Sequence, residues 1–238
     1  MYDRQISEDQ RLTFGVSGML YRNGLIMYDH QTETLWSHIL GQAVAGEYAG
    51  RSLTFIPTLH TDWKSWQEIH PDTLVVSPEL YGPDQYERYY YSPAEGIDQN
   101  LFGSGSRRDS EIYPKQFVIG VKLAARTRAY PFSALHKETI INDHIGQTPV
   151  AVFFDKMTLT GTVFDRRLDG TITLIFEPGS SAHTVIDTET GSVWHTLTGR
   201  AIAGPLAGTE LTRLPITYAF WFGWIDNYPE STVYGPSK

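Results

Sequence analysis

Histidine and aspartate are the residue types that could do acid–base chemistry in this chain, because its 238 residues include no cysteine. A chain without cysteine has no thiolate nucleophile, no disulfide and no Cys-ligated metal centre. None of the eight histidines belongs to an HxH or HExxH motif. Their spacing therefore predicts no metal site, although metal-assisted chemistry stays open.

A short polar string, His60-Thr61-Asp62, places an imidazole beside a carboxylate where a helix is predicted to begin. Such a pair could serve as a general base. Alternatively, Asp62 only caps the helix, which would extend to Ile69, and His60 is solvated. Two more histidines flank the strand that contains Trp36. The predicted catalytic set is His30, His38, His60 and Asp62.

A second set of residues could hold a ligand. Arg126 and Arg128 alternate along a predicted strand, so their side chains share one face and could bind an anion. Ion pairs with the surplus carboxylates are the alternative. Aromatic side chains could form a binding wall, or they could belong to the core. The predicted substrate-binding set is Trp36, Tyr89, Tyr91, Arg126 and Arg128.

An internal repeat must position these residues. The segment 29–76 aligns without a gap on 187–234, and all six tryptophans fall on matched positions of the two copies. Such matching is the signature of a duplicated unit. In the second copy His30, His38 and His60 are replaced by Thr188, Thr196 and Tyr218. This difference favours a site built in one copy, and free drift of surface histidines after duplication is the alternative.

The match continues upstream, with Leu12-Thr13-Phe14 set against Ile172-Thr173-Leu174, but the leader 117–161 of the second copy has no counterpart. The sequence thus divides into a truncated first repeat (1–76), a Tyr-rich connector (77–116) and a complete second repeat (117–238). Apolar surface and strand edges of the first repeat would then need a cover. The connector or a second subunit could supply it; alternatively, the leader is dispensable or the chain is a fragment of a longer product.

Short strands dominate the pattern, and the helices are single turns. Asp169-Gly170 and Thr190-Gly191 predict hairpins, and 142–148 predicts a turn. We therefore expect a mainly β protein with minor short helices. Its two tandem pseudo-repeats should form one compact antiparallel β domain.

Composition excludes several classes of protein. A net charge of −8 argues against nucleic acid as a partner. No apolar run reaches the roughly 18 residues of a membrane-spanning helix. The start of the chain does not resemble a signal peptide, so the compartment stays unknown.

Several long strings resemble the DUF3179 family of bacterial and archaeal proteins, which has no defined biochemical role. They include the residues 12–36, 118–152 and 199–215. The resemblance implies a leader with a cysteine motif before the TFGVSG string. Many members of the family also look exported. In this chain the corresponding stretch of the second leader, FFDKMTLTG (153–161), has no cysteine, so cysteine-based chemistry does not carry over.

Two functions follow from these observations. The first is an enzyme that processes a small molecule in a His/Asp acid–base pocket between the repeats, with substrate and cofactor unknown. The alternative is a non-catalytic ligand-binding or self-assembling protein, a homo-oligomer in which another subunit completes the truncated repeat.

Overall fold

A computed structural model describes residues 1–76, 112–170 and 172–235. Tyr89 and Tyr91 lie outside the described residues, as does most of the connector. The fold is mainly β, with 45% of residues in strands and 9% in helices, which confirms the expected class.

The first repeat contributes six strands and one helix. They are β1 (Gln5–Ser7), β2 (Gln10–Arg11), β3 (Phe14–Tyr21), β4 (Gly24–Asp29), β5 (Leu35–Ser37), β6 (Gln42–Ala45) and α1 (Trp63–Ile69). Strands β3 to β6 form an antiparallel four-stranded meander in chain order. Helix α1 begins where the sequence predicts, because the Asp62 carboxylate accepts a hydrogen bond from the Ser65 N–H at 2.8 Å.

The second repeat begins with a leader of strands that has no counterpart within residues 1–76. These elements are β7 (Phe117–Leu123), β8 (Arg126–Pro131), α2 (Phe132–Leu135), β9 (Ile140–Ile145), β10 (Thr148–Asp155) and β11 (Thr160–Asp165). Buried aliphatic and aromatic side chains of this leader form the largest apolar cluster among the described residues.

The rest of the second repeat resembles the first. Its elements are β12 (Arg167–Leu168), β13 (Ile172–Thr173), β14 (Phe176–Pro178), β15 (Thr184–Asp187), β16 (Val193–His195), β17 (Arg200–Ala203), β18 (Ile216–Phe220), α3 (Trp221–Asn227) and β19 (Thr232–Val233). Strands β14 to β17 form a second four-stranded meander. The hairpin predicted at Thr190-Gly191 joins β15 to β16. At Asp169-Gly170 only the two-residue strands β12 and β13 pair.

The same buried hydrogen bond stands at the centre of each meander. The Trp36 indole donates to Asp29 at 2.8 Å, and the Trp194 indole donates to Asp187 at 2.8 Å. All four residues are fully buried. Burial alone would raise the pKa of Asp29, but hydrogen bonds from Trp36 and Thr32 outweigh it and lower this pKa. Trp36 is thus a core residue.

Upstream of the meanders the predicted alignment is shifted by two residues. The Leu12 N–H donates to the Arg4 carbonyl, and the Leu174 N–H donates to the Arg166 carbonyl. Leu12 therefore corresponds to Leu174, which the sequence alignment had matched to Phe14. The β3–β4 hairpin is longer than the equivalent β14–β15 hairpin, and its extra residues account for the shift in the alignment.

Strand β9 covers the second meander. Asn142 was predicted to lie in a turn, but it belongs to β9, and the turn follows at Gly146. The Asn142 side chain accepts from the Phe176 N–H and donates to the Phe176 carbonyl, both at 2.9 Å. This paired bond replaces the local bonds that make Asn a turn former.

The first meander has no such cover among the described residues. Phe14 occupies the position of Phe176, and each ring meets the edge of its buried tryptophan. Phe176 is 2% exposed, whereas Phe14 is only partly buried. Whether a second subunit covers this face stays a prediction.

The two repeats contact each other through equivalent positions. His60 and Tyr218 match in the alignment, and their rings lie 4.6 Å apart. Helix α3 touches the first meander, because the Asn227 amide donates to the Arg22 carbonyl at 3.1 Å. The segment before α1 touches the second repeat, where Thr61 is hydrogen-bonded to Thr160 at 2.9 Å.

Candidate functional site

Three of the predicted catalytic residues make contacts of a structural kind. His30 is exposed, and its ring packs against Tyr28. The His38 ring nitrogen Nδ1 lies 2.9 Å from the Leu25 carbonyl oxygen. His60 is exposed beside Tyr218. No contact joins these three histidines within the described residues, so a cluster built from them stays a prediction.

The two predicted ligand-binding arginines differ in their surroundings. Arg126 is exposed at the start of β8. Arg128 pairs with Asp143 at 2.5 Å, and the Tyr130 hydroxyl donates to the same carboxylate at 2.9 Å. Burial and the charge of Asp143 raise the pKa of Tyr130. These contacts favour the ion-pair alternative for Arg128.

A different group of titratable side chains meets where α1 approaches the second meander. His183 Nε2 lies 4.0 Å from Asp155 Oδ2, and the His183 and His195 rings are 6.1 Å apart. A protonated His183 would lower the pKa of Asp62, and Glu68 raises the pKa of His195, each as the smallest of several causes. The first repeat supplies Asp62 and Glu68, and the second supplies the rest. We call this group the junction cluster: Asp62, Glu68, Asp155, His183 and His195.

Asp155 ends β10 and is held by its own loop. Its Oδ1 accepts from the Met157 N–H at 2.8 Å, and its Oδ2 accepts from the Thr158 hydroxyl at 3.0 Å. A carboxylate has about four acceptor positions, so about two remain. Asp155 therefore has room for a further donor.

A row of hydroxyl groups joins Asp155 to the first repeat. The Thr158 and Thr160 hydroxyls are hydrogen-bonded at 2.8 Å, and those of Thr160 and Thr61 at 2.9 Å. Thr160, in the middle of the row, is 1% exposed, whereas Thr61 and Thr158 at its ends are half-buried. The row fixes the start of α1, and with it Asp62, beside the second repeat.

The two nitrogens of His183 have different surroundings. Nε2 faces the Asp155 carboxylate at a distance typical of an ion pair and longer than a hydrogen bond. Nδ1 is buried and has no hydrogen-bond partner. A buried N–H without an acceptor is costly. The neutral ring is therefore expected to carry its proton on Nε2 and a free lone pair on Nδ1.

The pKa values of His195 and Asp62 are both lowered, which leaves His195 neutral and Asp62 negatively charged at neutral pH. Burial, followed by the charge of His183, lowers the pKa of His195, while Glu68 acts in the other direction. The pKa of Asp62 is lowered mainly by its hydrogen bonds with Ser65. At neutral pH the cluster thus combines a neutral imidazole at His195 with a carboxylate at Asp62.

The lowered pKa of His195 predicts a pH dependence of stability. The unfolded chain binds a proton near pH 6.5, and the folded chain binds it only at lower pH. The free energy of unfolding should therefore fall as the pH drops below 6.5. Urea unfolding at a series of pH values should show a smaller fall in H195Q, and an identical fall would contradict this assignment. Exposed His144, changed to Gln, is the control.

A cavity of about 190 Å³ has Asp155 among its lining residues. It is lined by residues of the second repeat only, from β9 to the turn after β16. Thr160 also lines it and, through its bond to Thr61, links it to the first repeat. This cavity thus lies within one repeat and shares Asp155 with the junction cluster, and the pocket predicted between the repeats stays a prediction.

Comparison with known protein families gives matches that together span residues 1–237. The family described as "Protein of unknown function (DUF3179)" matches residues 1–124 and again residues 93–237. The chain belongs to the DUF3179 family. Two matches to one family agree with the duplicated fold of this DUF3179 protein. No curated protein and no solved structure matches it.

The described part of this DUF3179 protein shows neither a membrane-spanning helix nor a clustered metal site. Within the described ranges, no helix is long and apolar enough to cross a membrane. In the same ranges no three His, Asp or Glu side chains are placed to hold one metal ion.

The junction cluster was missed at the sequence level. Asp155 lies in the string FFDKMTLTG, which stands where relatives are expected to keep a cysteine motif. That location was the only signal for Asp155. Nothing in the sequence around His183 marks it, because its role depends on the packing of α1.

Proposed function

We propose that this DUF3179 protein is an enzyme that processes a small molecule by His/Asp acid–base chemistry at the junction cluster. The observation that carries the proposal is the Asp155–His183 pair: Asp155 lines the cavity, and His183, whose Nδ1 has no partner, lies in the chain between two lining residues, Ala182 and Thr184. A pair in which a carboxylate orients an imidazole is a recurring acid–base unit. The proposal keeps the predicted His/Asp acid–base chemistry and the predicted residue Asp62. It assigns the proton acceptor to His183 in place of the three predicted histidines.

His183 would accept a proton at Nδ1 from a substrate group that enters beside the ring and becomes the hydrogen-bond partner that this buried nitrogen lacks. Asp155 would act as a positioning residue that holds the proton on Nε2 and stabilises the imidazolium ring. The Asp62 carboxylate would add to this stabilisation from the first repeat, since its charge already interacts with His183. His195 accepts from the Thr198 N–H at its Nδ1, so its neutral ring would present a donor at Nε2.

A turnover assay tests this proposal. The protein is incubated with a defined mixture of small polar metabolites, and consumption is followed by mass spectrometry. Wild type should consume at least one compound, and H183Q should lower that rate by about 10²–10⁴-fold because the proton acceptor is lost. D155N should lower the rate and change its pH profile.

The matched control is H144Q, since His144 is exposed in the same repeat. It should retain the wild-type rate. Absence of consumption by wild type, or equal rates for wild type and H183Q, would contradict the proposal.

A further inference from the structure

The cavity beside Asp155 has two chemically different walls. One wall is apolar and consists of Ile140, Phe153, Phe154, Val185 and Leu197. The other carries oxygen atoms and consists of Asp155, Thr160, Thr162, Ser181, Thr184 and Thr196. The volume of about 190 Å³ equals roughly six water molecules of liquid. A ligand of this cavity must therefore be small, with an apolar and a polar end.

Three hydroxyl groups of the polar wall donate their protons to the protein itself, and the first of them, that of Thr160, donates to Thr61 at 2.9 Å. The Thr162 hydroxyl donates to the Thr196 carbonyl at 2.8 Å, and the Thr184 hydroxyl donates to the Ser181 carbonyl at 3.1 Å. A hydroxyl has one proton and two lone pairs. Thr162 therefore offers a ligand acceptor capacity, whereas the Thr184 oxygen already accepts from the Ser181 N–H at 3.0 Å.

Asp155 adds an acceptor with a full negative charge and about two open positions. No lysine or arginine is among the lining residues. A wall of acceptors around one carboxylate is complementary to a group that carries a positive charge and several N–H donors.

From these features we infer that the cavity binds a small primary ammonium ion with a short aliphatic tail. The ammonium group meets Asp155 and the threonine oxygens, and the tail meets the phenylalanine and leucine side chains. This inference rests on the proposed function and names the substrate class of the same site.

One neighbouring cation favours the opposite charge. The Arg213 guanidinium donates to the carbonyl of Leu197, and it lies 5.0 Å from the Phe164 ring centre. One of its terminal nitrogens has no partner. If that nitrogen reached the cavity, a carboxylate would bind there instead of an ammonium ion, so the test includes both charges.

Three probes of equal length test the inference: n-butylammonium, n-butanol and n-butyrate. Binding is followed by NMR through the methyl signals of Thr162 and Val185, which line the cavity. Butylammonium should bind about 10- to 100-fold more tightly than butanol, as expected for a charge-assisted hydrogen bond. Tighter binding of butyrate, or equal binding of all three, would overturn the inference.

A pair of aspartate variants assigns the effect to one carboxylate. D155N should lose the preference for butylammonium, whereas D169N should keep it, because Asp169 is exposed in the β12–β13 turn. Unfolding curves of both variants show whether they are folded. An unchanged preference in folded D155N overturns the inference, and if D155N is unfolded, the order of the three probes on wild type decides alone.

The ammonium inference and the proposed function fail in different ways. Selective binding of butylammonium by a protein that consumes no compound supports the ligand class and contradicts the enzyme. Consumption that depends on His183, with no preference among the three probes, supports the enzyme and overturns the ligand class.

Discussion

Replacing Trp194 with alanine should lower the free energy of unfolding by about 3–5 kcal/mol. The indole is fully buried at the centre of the second meander. Its loss leaves a cavity and also removes the donor that meets the buried Asp187. Urea unfolding followed by far-ultraviolet circular dichroism measures the effect without relying on tryptophan fluorescence.

The control for this prediction is W63A. Trp63 is also a repeated tryptophan, but it is 47% exposed on α1. Its replacement should cost about 0.5 kcal/mol or less. Equal losses for W194A and W63A would contradict the assignment of Trp194 to the core.

The second large effect is expected at Gly120, where α3 packs on β7. A Cβ atom at this position would lie 2.3 Å from the Trp224 ring, which is itself 1% exposed. Neither the strand nor the ring has space to move, so G120A should cost about 1–3 kcal/mol. The free energy of unfolding, again from urea curves, gives the value.

A second glycine variant provides the comparison. Gly223 is also buried, but a Cβ atom there would meet its nearest neighbour, Ile39, at 3.6 Å. Alanine favours helix over glycine by about 0.5–1 kcal/mol, so G223A should leave α3 as stable or more stable. In a W224L background the cost of G120A should shrink, and an undiminished cost would show that the ring is not its cause.

The sequence was sufficient for features that depend on local or repeated chemistry. The matched tryptophans predict the duplication, and each meander places its tryptophan against the same aspartate. Asp62 followed by an amphipathic string predicts α1 and its cap. These features need only neighbouring residues or the comparison of one copy with the other.

The junction cluster depends on contacts that no local pattern encodes. Asp155 and His183 lie on different hairpins, and their distance is set by the packing of β10 against the second meander. Asp62 joins them only because Thr61 bonds to Thr160 across the repeats. Asn142 shows the same limit, because a tertiary bond to Phe176 overrides its preference for turns.

The position of one proton is the most direct test of the acid–base account. The ¹⁵N NMR spectrum of protein labelled at histidine reports which ring nitrogen of His183 is protonated. The account predicts a neutral ring with the proton on Nε2, towards Asp155, and an unprotonated Nδ1. A neutral ring with its proton on Nδ1 would contradict it, since His183 would then have no free lone pair with which to accept a proton from a substrate.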